Sequence, residues 1–181
     1  MHIAICNIIK NNNTLKPQDI LILLKISTLG EQEWFQHTLA EDLNISQSEI
    51  SECLTRSKYS GLIDASRKKV NLLNLLEFIQ HGIKYVFPQQ PGPIVRGIAT
   101  AHSASPLNKE IQSDQNYIWP YARGDMRGQA IQPLYKSVPK AILNDKKLYE
   151  ALALVDAIRV GKVREQNLAV SLLKERLQHE K

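Results

Sequence analysis

The chain has 181 residues, of which 43% are hydrophobic and 23% are charged, and its formal net charge is +5. This length and composition suit one domain with a hydrophobic core, or a small domain with an extension. No stretch reaches the roughly 18 to 20 uninterrupted apolar residues that a membrane-spanning helix needs, and the N-terminus carries neither a basic leader nor a cleavage site, so we expect a cytoplasmic protein that does not contact the membrane.

The first long element that the sequence predicts is a buried helix from Pro17 to about Leu29. Proline suits a first helical turn, and Gly30 suits the position after a helix end. The apolar run before this helix is compatible with a strand or a helix and leads into a polar loop at residues 11–13. After the helix, residues 33–35 predict a short edge strand.

Residues 38–63 have the spacing of two short helices joined by a tight turn, which is the pattern of a helix-turn-helix. Asn44 tolerates the left-handed conformation that such a turn demands. Ser46 and Glu49 are typical of a capping box, so the second helix is predicted to start at Ser46. The residues that would lock the two helices together are Leu39, Ala40, Leu43, Ile50, Cys53 and Leu54.

The outward positions of the second helix carry side chains that can contact DNA. Gln47 can pair with adenine, the hydroxyl residues can meet base edges or a phosphate, and Glu52 can accept from cytosine. The lysines and arginines at the end of the helix and beyond it suit phosphates. The candidate DNA-contacting residues are Ser46, Gln47, Ser48, Ser51, Glu52, Thr55, Arg56, Lys58, Arg67, Lys68 and Lys69. An ordinary polar solvent face is the alternative interpretation.

Residues 62–70 predict a strand, a tight basic turn and a returning strand, which together make a very short wing. Its tip would carry Arg67, Lys68 and Lys69 close to a DNA backbone. A solvated basic turn without any partner is the alternative.

With these elements in place, residues 15–71 resemble the winged helix-turn-helix of MarR-like bacterial transcriptional regulators. The resemblance rests on Trp34, Leu-Ala-Glu-Asp-Leu at 39–43, Ile-Ser-Gln-Ser-Glu-Ile at 45–50 and Gly-Leu-Ile at 61–63. It implies that the second helix enters the major groove and that the wing touches the backbone or minor groove. It also implies a start of the first motif helix near Gln36, whereas a capping box of Thr38 and Glu41 would start that helix later.

Beyond the wing, a helix is predicted from Leu72 to about His81, capped by Asn71 and closed by Gly82. Residues 83–139 hold seven of the eight prolines and half of the glycines, which excludes long helices there. Their many aromatic and β-branched residues argue against a disordered linker, so we expect an ordered, irregular, extended segment that wraps the helices.

Two clusters in this segment could suggest chemistry. The His-Ser pair at 102–103 lacks a nucleophile elbow and does not support a hydrolase. Arg123 and Arg127, on a glycine-rich loop, could bind phosphate, an acidic ligand or a carboxylate of the protein, and an ion pair within the protein or at an interface is favoured. We therefore expect no enzyme, and neither a cofactor nor a metal site is indicated.

The last segment predicts two helices, from Asp145 to about Val160 and from about Val163 to His179, with Gly161 between them. Asp156, Arg159, Arg164 and Glu165 are candidates for a polar network where the helices meet. The helical pair could dimerise the protein, as is common after a DNA-reading domain, or could close the core of the monomer.

The predicted fold is thus mostly α with a small β-wing. Residues 1–82 form the winged helix-turn-helix, residues 83–139 the extended segment and residues 140–181 the C-terminal helices. These three segments carry net charges of −1, +3 and +3, so the positive excess lies outside the expected DNA reader. Cys6 and Cys53 are interpreted as two reduced apolar residues.

The favoured function is a dimeric, sequence-specific transcriptional regulator that binds double-stranded DNA. The alternative is a protein-interaction module, an antitoxin or adaptor with a partly repurposed helix-turn-helix and a partner protein.

Overall fold

The computed structural model describes residues 13–179. This part of the chain is mostly helical and includes one small sheet. In chain order the elements are α1 (Pro17–Leu29), α2 (Gln36–Leu43), α3 (Gln47–Tyr59), α4 (Leu72–His81), α5 (Ile83–Val86), β1 (Ile94–Ala99), β2 (Tyr117–Pro120), β3 (Met126–Ala130), α6 (Val138–Ala141), α7 (Lys146–Val160) and α8 (Val163–His179). No helix within this range is long and apolar enough to cross a membrane.

Helix α1 begins at Pro17 and ends before Gly30, as predicted. Residues 20–24 have no solvent exposure, because α3 covers the helix on one side and α7 on another. The Lys16 N–H donates to a carboxylate oxygen of Asp19 at 2.9 Å, which satisfies one free amide at the start of the helix. The apolar run before residue 11 lies outside the described residues.

Helices α2 and α3 are joined by the tight turn that the sequence predicted. Asn44 adopts the left-handed conformation with φ 51° and ψ 47°. The Ser46 hydroxyl accepts the Glu49 N–H at 3.3 Å, which confirms half of the predicted capping box. The Glu49 carboxylate accepts from Gln18 and Arg56 instead of returning to Ser46. Helix α2 begins at Gln36, so the capping box at Thr38 is wrong.

The predicted wing is reduced to a tight turn. A single antiparallel bridge joins Ile63 and Val70, and residues 64–69 form the turn between them. The edge strand predicted at residues 33–35 is wrong, since these residues are irregular in structure. Trp34 is nonetheless buried and packs against the turn through Lys68. Side-chain packing therefore replaces the strand pairing that we expected.

Residues 83–139 contain a three-stranded sheet that the sequence did not predict. Strand β1 pairs antiparallel with both β2 and β3, and β2 pairs parallel with β3, so each strand contacts the other two. Glycines make this closure possible, because a side chain at Gly97 would overlap the Trp119 carbonyl and one at Gly128 would overlap the Asn116 carbonyl. The segment is ordered, as predicted, but it is more than an irregular wrap.

Helix α7 is the central element of the core, and Asp145 caps it by accepting the Leu148 N–H at 2.9 Å. It contacts α1 and α4 of the N-terminal part, and it packs most extensively against α8. One continuous hydrophobic cluster extends from Ile20 to Leu177. The apolar faces that we considered for dimerisation therefore close the core of this chain, and Leu152, on α7, is only 2% exposed.

A buried polar network joins the sheet to α7 around Asp156. Its carboxylate accepts hydrogen bonds from Thr100, Trp119 and Arg159. Burial raises the pKa of Asp156, while the charge of Arg159 opposes that rise. The rest of the predicted network is wrong, because Arg164 is exposed and Glu165 accepts the Lys162 N–H at 3.0 Å, near His102.

Candidate nucleic-acid interface

The outward face of α3 carries most of the residues predicted to contact DNA. Ser51 is partly exposed, and the Thr55 hydroxyl donates to the Ser51 carbonyl at 3.0 Å. The Glu52 side chain is 58% exposed, so a carboxylate stands among the hydroxyl and amide groups. The exposed positions of this face are Ser46, Gln47, Ser48, Glu52, Thr55 and Lys58.

Arg56 does not belong to this face, so the prediction that it contacts a phosphate is wrong. Its side chain is 2% exposed, and its guanidinium donates to the Asp19 carboxylate through Nε at 2.9 Å and Nη2 at 2.6 Å. Glu49 and Glu52 also pair with it. These hydrogen bonds, led by those to Asp19, raise the pKa of Arg56, so the guanidinium is fixed and fully charged between α1 and α3.

Sequence reasoning missed this pair because Asp19 lies 37 residues before Arg56. A local signal was present, however. Glu49 and Glu52 precede Arg56 by seven and four residues, which places all three side chains on one side of a helix. Burial alone would raise the pKa of Glu49, but hydrogen bonds from Arg56 and Gln18 outweigh it and hold the pKa below its usual value.

The basic turn at residues 64–69 is shaped by Asp64. One carboxylate oxygen accepts the Lys68 N–H at 2.9 Å and the Lys69 N–H at 3.0 Å, while the other accepts from the Ser66 hydroxyl. These bonds, with the Ser66 hydroxyl contributing most, lower the pKa of Asp64 to about 2. Arg67 adopts a positive φ of 59° at the tip. The turn is therefore pre-organised around a carboxylate that stays ionised at neutral pH.

The cations of the turn differ in what they contact. Arg67 donates to the Thr55 hydroxyl at 3.4 Å, which brings the turn against the outward face of α3. The Lys68 ammonium lies 4.7 Å from the centre of the Trp34 ring and donates to the Trp34 carbonyl at 3.4 Å. Lys69 and Lys58 are exposed and have no side-chain partner in the described range. Of the cations predicted to contact DNA, Lys58 and Lys69 are therefore the most available to an external phosphate.

An open groove of about 790 Å³ lies behind the turn. Its lining includes the apolar residues Ile26, Trp34 and Leu177 together with polar ones, and the lining residue Leu73 is 74% exposed. Lys68 and Lys69 belong to both the groove and the turn. A partner in the groove would thus share two cations with the candidate DNA surface.

The His-Ser pair at 102–103 is arranged as part of the core. His102 packs against Tyr117 with 4.5 Å between the ring centres, and its Nε2 lies 2.8 Å from the Gln115 carbonyl. The Ser103 hydroxyl accepts the Tyr117 N–H at 2.8 Å. No hydrogen bond joins Ser103 to His102 among the residues described.

Cys53 is fully buried, as predicted, and burial raises the pKa of its thiol. Cys6 lies outside the described residues. Among the described residues, no group of three or more His, Cys, Asp or Glu side chains could hold a metal ion.

Arg123 and Arg127 remain exposed, and neither forms an ion pair with the described part of the chain. The ion pair favoured from the sequence is therefore absent within that part. Arg96, which the sequence did not single out, lies opposite Arg127 in the sheet.

Comparison with family models, with curated proteins and with solved structures gave no match, so the resemblance to MarR-like regulators stays a hypothesis.

Proposed function

We propose that this protein is a bacterial-type, cytoplasmic transcriptional regulator that binds double-stranded DNA through a winged helix-turn-helix. Helix α3 enters the major groove, and the basic turn at residues 64–69 follows the backbone. The single observation that carries the proposal is the turn's position. Arg67 contacts Thr55, so a pre-organised cationic turn lies directly beside a polar helix face.

The division of labour follows from side-chain chemistry. Gln47 can make a bidentate pair with adenine, and the hydroxyls of Ser48 and Ser51 can meet base edges or a phosphate. Lys58 and Lys69 neutralise phosphates and fix the register of the helix on the duplex. Glu52 repels phosphates and can accept from a base amine such as that of cytosine, which makes it a residue that can discriminate between sequences.

A homodimer is part of this proposal, because two-fold symmetry would place two α3 helices on the two halves of a palindromic site. Since the apolar faces of α7 and α8 are buried in the core of the chain, the proposed dimer contact uses another surface. Light scattering of the purified protein tests this directly, and a mass equal to one chain at micromolar concentration would contradict it.

A titration of fluorescently labelled duplex from the protein's own upstream region tests DNA binding. The wild-type protein should bind at low ionic strength, with an affinity that falls steeply as salt increases. The salt slope is the steepness with which the logarithm of the binding constant falls as the logarithm of the salt concentration rises. The double variant Lys58→Gln, Lys69→Gln should lower this slope by roughly one unit for each phosphate that it no longer neutralises. Lys109→Gln with Lys174→Gln removes equal charge from exposed or partly exposed sites elsewhere and is the matched control. A slope equal to that of the control would contradict the proposed interface.

The groove of about 790 Å³ favours a second candidate, an interaction module that holds a partner protein. A net charge of −1 over residues 1–82 also fits this function, since such a surface attracts polyanions weakly. Co-purification of one partner in a fixed ratio supports it, provided that Leu73→Glu, at the exposed side of the groove, releases that partner.

A further inference from the structure

We propose a second contact surface for the backbone phosphates of duplex DNA on the small sheet, formed by Arg96, Arg123 and Arg127, which we call the arginine cluster. This inference rests on the proposed function and adds a surface that lies outside the helix-turn-helix.

Arg96 on β1 and Arg127 on β3 are direct partners across the antiparallel ladder. Directly opposite residues of an antiparallel pair point to the same face, with Cβ atoms roughly 4.5–5.5 Å apart, and like charges at that spacing destabilise a sheet. Both side chains are exposed, and neither forms an ion pair with the described residues. An anion from outside the described chain would remove this repulsion.

Arg123 is brought to the same place by the turn between β2 and β3. Gly124 packs so closely on β1 that a side chain there would overlap the Gly97 backbone. The Tyr121 N–H donates to the Arg96 carbonyl at 3.2 Å, and the Arg96 guanidinium donates to the Gly124 carbonyl at 3.4 Å. These contacts hold the turn beside Arg96, and Arg123, which directly precedes Gly124, is exposed in that turn.

One carboxylate lies in the same turn. Asp125 directly follows Gly124, and its negative charge contributes to a raised pKa of Tyr149, behind burial as the main cause. It makes no ion pair with any of the three arginines. The cluster therefore keeps an excess of positive charge.

Phosphate is the anion that this chemistry favours. A guanidinium presents parallel N–H groups that match two phosphate oxygens, and arginine is preferred over lysine where such a planar contact is made. Duplex DNA offers one negative charge per roughly 1.7 Å of helix axis, so several exposed arginines on one surface can meet several phosphates at once.

The charge distribution supports DNA rather than a single ion. The helix-turn-helix segment, residues 1–82, has a net charge of −1, and Arg56 is buried in the core. Residues 83–139, which carry the cluster, have a net charge of +3. A chain of this kind must draw much of its attraction to DNA from outside α3.

Arg96→Gln with Arg127→Gln tests the cluster in the same duplex titration. Removing two phosphate-binding side chains should lower the salt slope by about 1.8. If the variant and the wild type bind equally at 1 M salt, this difference in slope makes the variant's affinity about 60-fold lower at 0.1 M salt. The variant's melting temperature in chloride buffer should change little, because the relief of two opposed like charges offsets the loss of the long hydrogen bond, at 3.4 Å, from Arg96 to the Gly124 carbonyl. Inorganic phosphate should raise the melting temperature of the wild-type protein more than chloride of equal ionic strength, and this excess should be smaller in the variant, which keeps only the general stabilisation by phosphate.

The Lys58→Gln, Lys69→Gln pair separates this inference from the proposed function. If the double arginine variant has a lower salt slope than the wild type and the double lysine variant does not, the arginine cluster is supported and the helix-turn-helix interface is overturned. If only the lysine pair lowers it, the cluster is overturned. An arginine variant that behaves like the Lys109→Gln, Lys174→Gln control, or a wild-type protein that binds no duplex, overturns the cluster as well.

Discussion

Replacing Arg56 by methionine should destabilise the protein strongly, although the proposed phosphate-contacting residues Lys58 and Lys69 are unchanged. The Arg56 side chain is 2% exposed and the Asp19 side chain is not exposed at all. Methionine has a similar length and is apolar, so the substitution leaves little cavity but strands a buried carboxylate. Among the described residues, the Asp19 carboxylate would keep only the hydrogen bond from the Lys16 N–H, at 2.9 Å.

Breaking a buried ion pair by removing one partner costs about 3–5 kcal/mol. A loss of about 3–5 kcal/mol in the free energy of unfolding is therefore expected, a large part of the roughly 5–15 kcal/mol typical of a domain. Urea denaturation followed by circular dichroism measures it, with the slope against urea unchanged. A second variant, Asp19→Leu with Arg56→Met, removes both charges and should cost less than the sum of the two single changes.

Lys58→Met is the matched control, because Lys58 is exposed two positions further along the same helix and has no partner in the described range. It should change the free energy of unfolding by less than about 0.5 kcal/mol. A loss below about 1 kcal/mol for Arg56→Met, the value of an exposed ion pair, would refute the buried pair and return Arg56 to the candidate DNA surface.

Three further predictions concern the turn, the sheet and α7. Because the pKa of folded Asp64 is lowered to about 2, the stabilising effect of its carboxylate should be present above about pH 4 and should be lost as the pH falls towards 2. The melting temperatures of the wild type and of Asp64→Asn should therefore differ at pH 6 and converge at pH 2. An equal difference at both pH values would contradict this prediction. Gly124→Ala should lower the free energy of unfolding by roughly 1–3 kcal/mol, since the added methyl meets the Gly97 backbone; Gly92→Ala, where the methyl has ordinary contacts, should be nearly neutral in the same denaturation assay. Leu152→Asp should give an unfolded chain by circular dichroism, because it places a charge in the core; a folded monomer would show instead that Leu152 lies in a subunit interface.

The long helices could be predicted because their signals are local. Helix α1 has Pro17 at its first position and Gly30 after its end, and α7 has Asp145 as a cap. The turn before α3 was equally local, since Asn44 and Ser46 each act within three residues of their own position. Such signals depend on backbone geometry over one or two helical turns and not on the rest of the fold.

The features that were missed depend on contacts between distant parts of the chain. Strands β1 to β3 have four to six residues each. Two of them contain a glycine that is required because a neighbouring backbone leaves no room for a side chain, and that close contact cannot be read from the strand's own sequence. Arg56 looked like a surface cation because its partner Asp19 is on another helix. The expected edge strand at residues 33–35 failed for a related reason, because Trp34 is held by packing with Lys68 and not by a ladder.

The most direct test of the central claim is to locate α3 on the DNA. Cys53 is buried with a raised thiol pKa, so a new cysteine at the exposed position Gln47 can be labelled selectively once Cys6 is replaced by serine. In a Gln47→Cys variant that still binds the duplex in the titration, a DNA-cleaving iron chelate attached at this position should cut the upstream duplex at two short tracts in the major groove, about 34 Å apart if the protein is a two-fold dimer. The same chelate attached through Lys109→Cys should give no such tracts. Cleavage that is absent, or spread evenly along the duplex at both attachment points, would contradict the placement of α3 in the major groove.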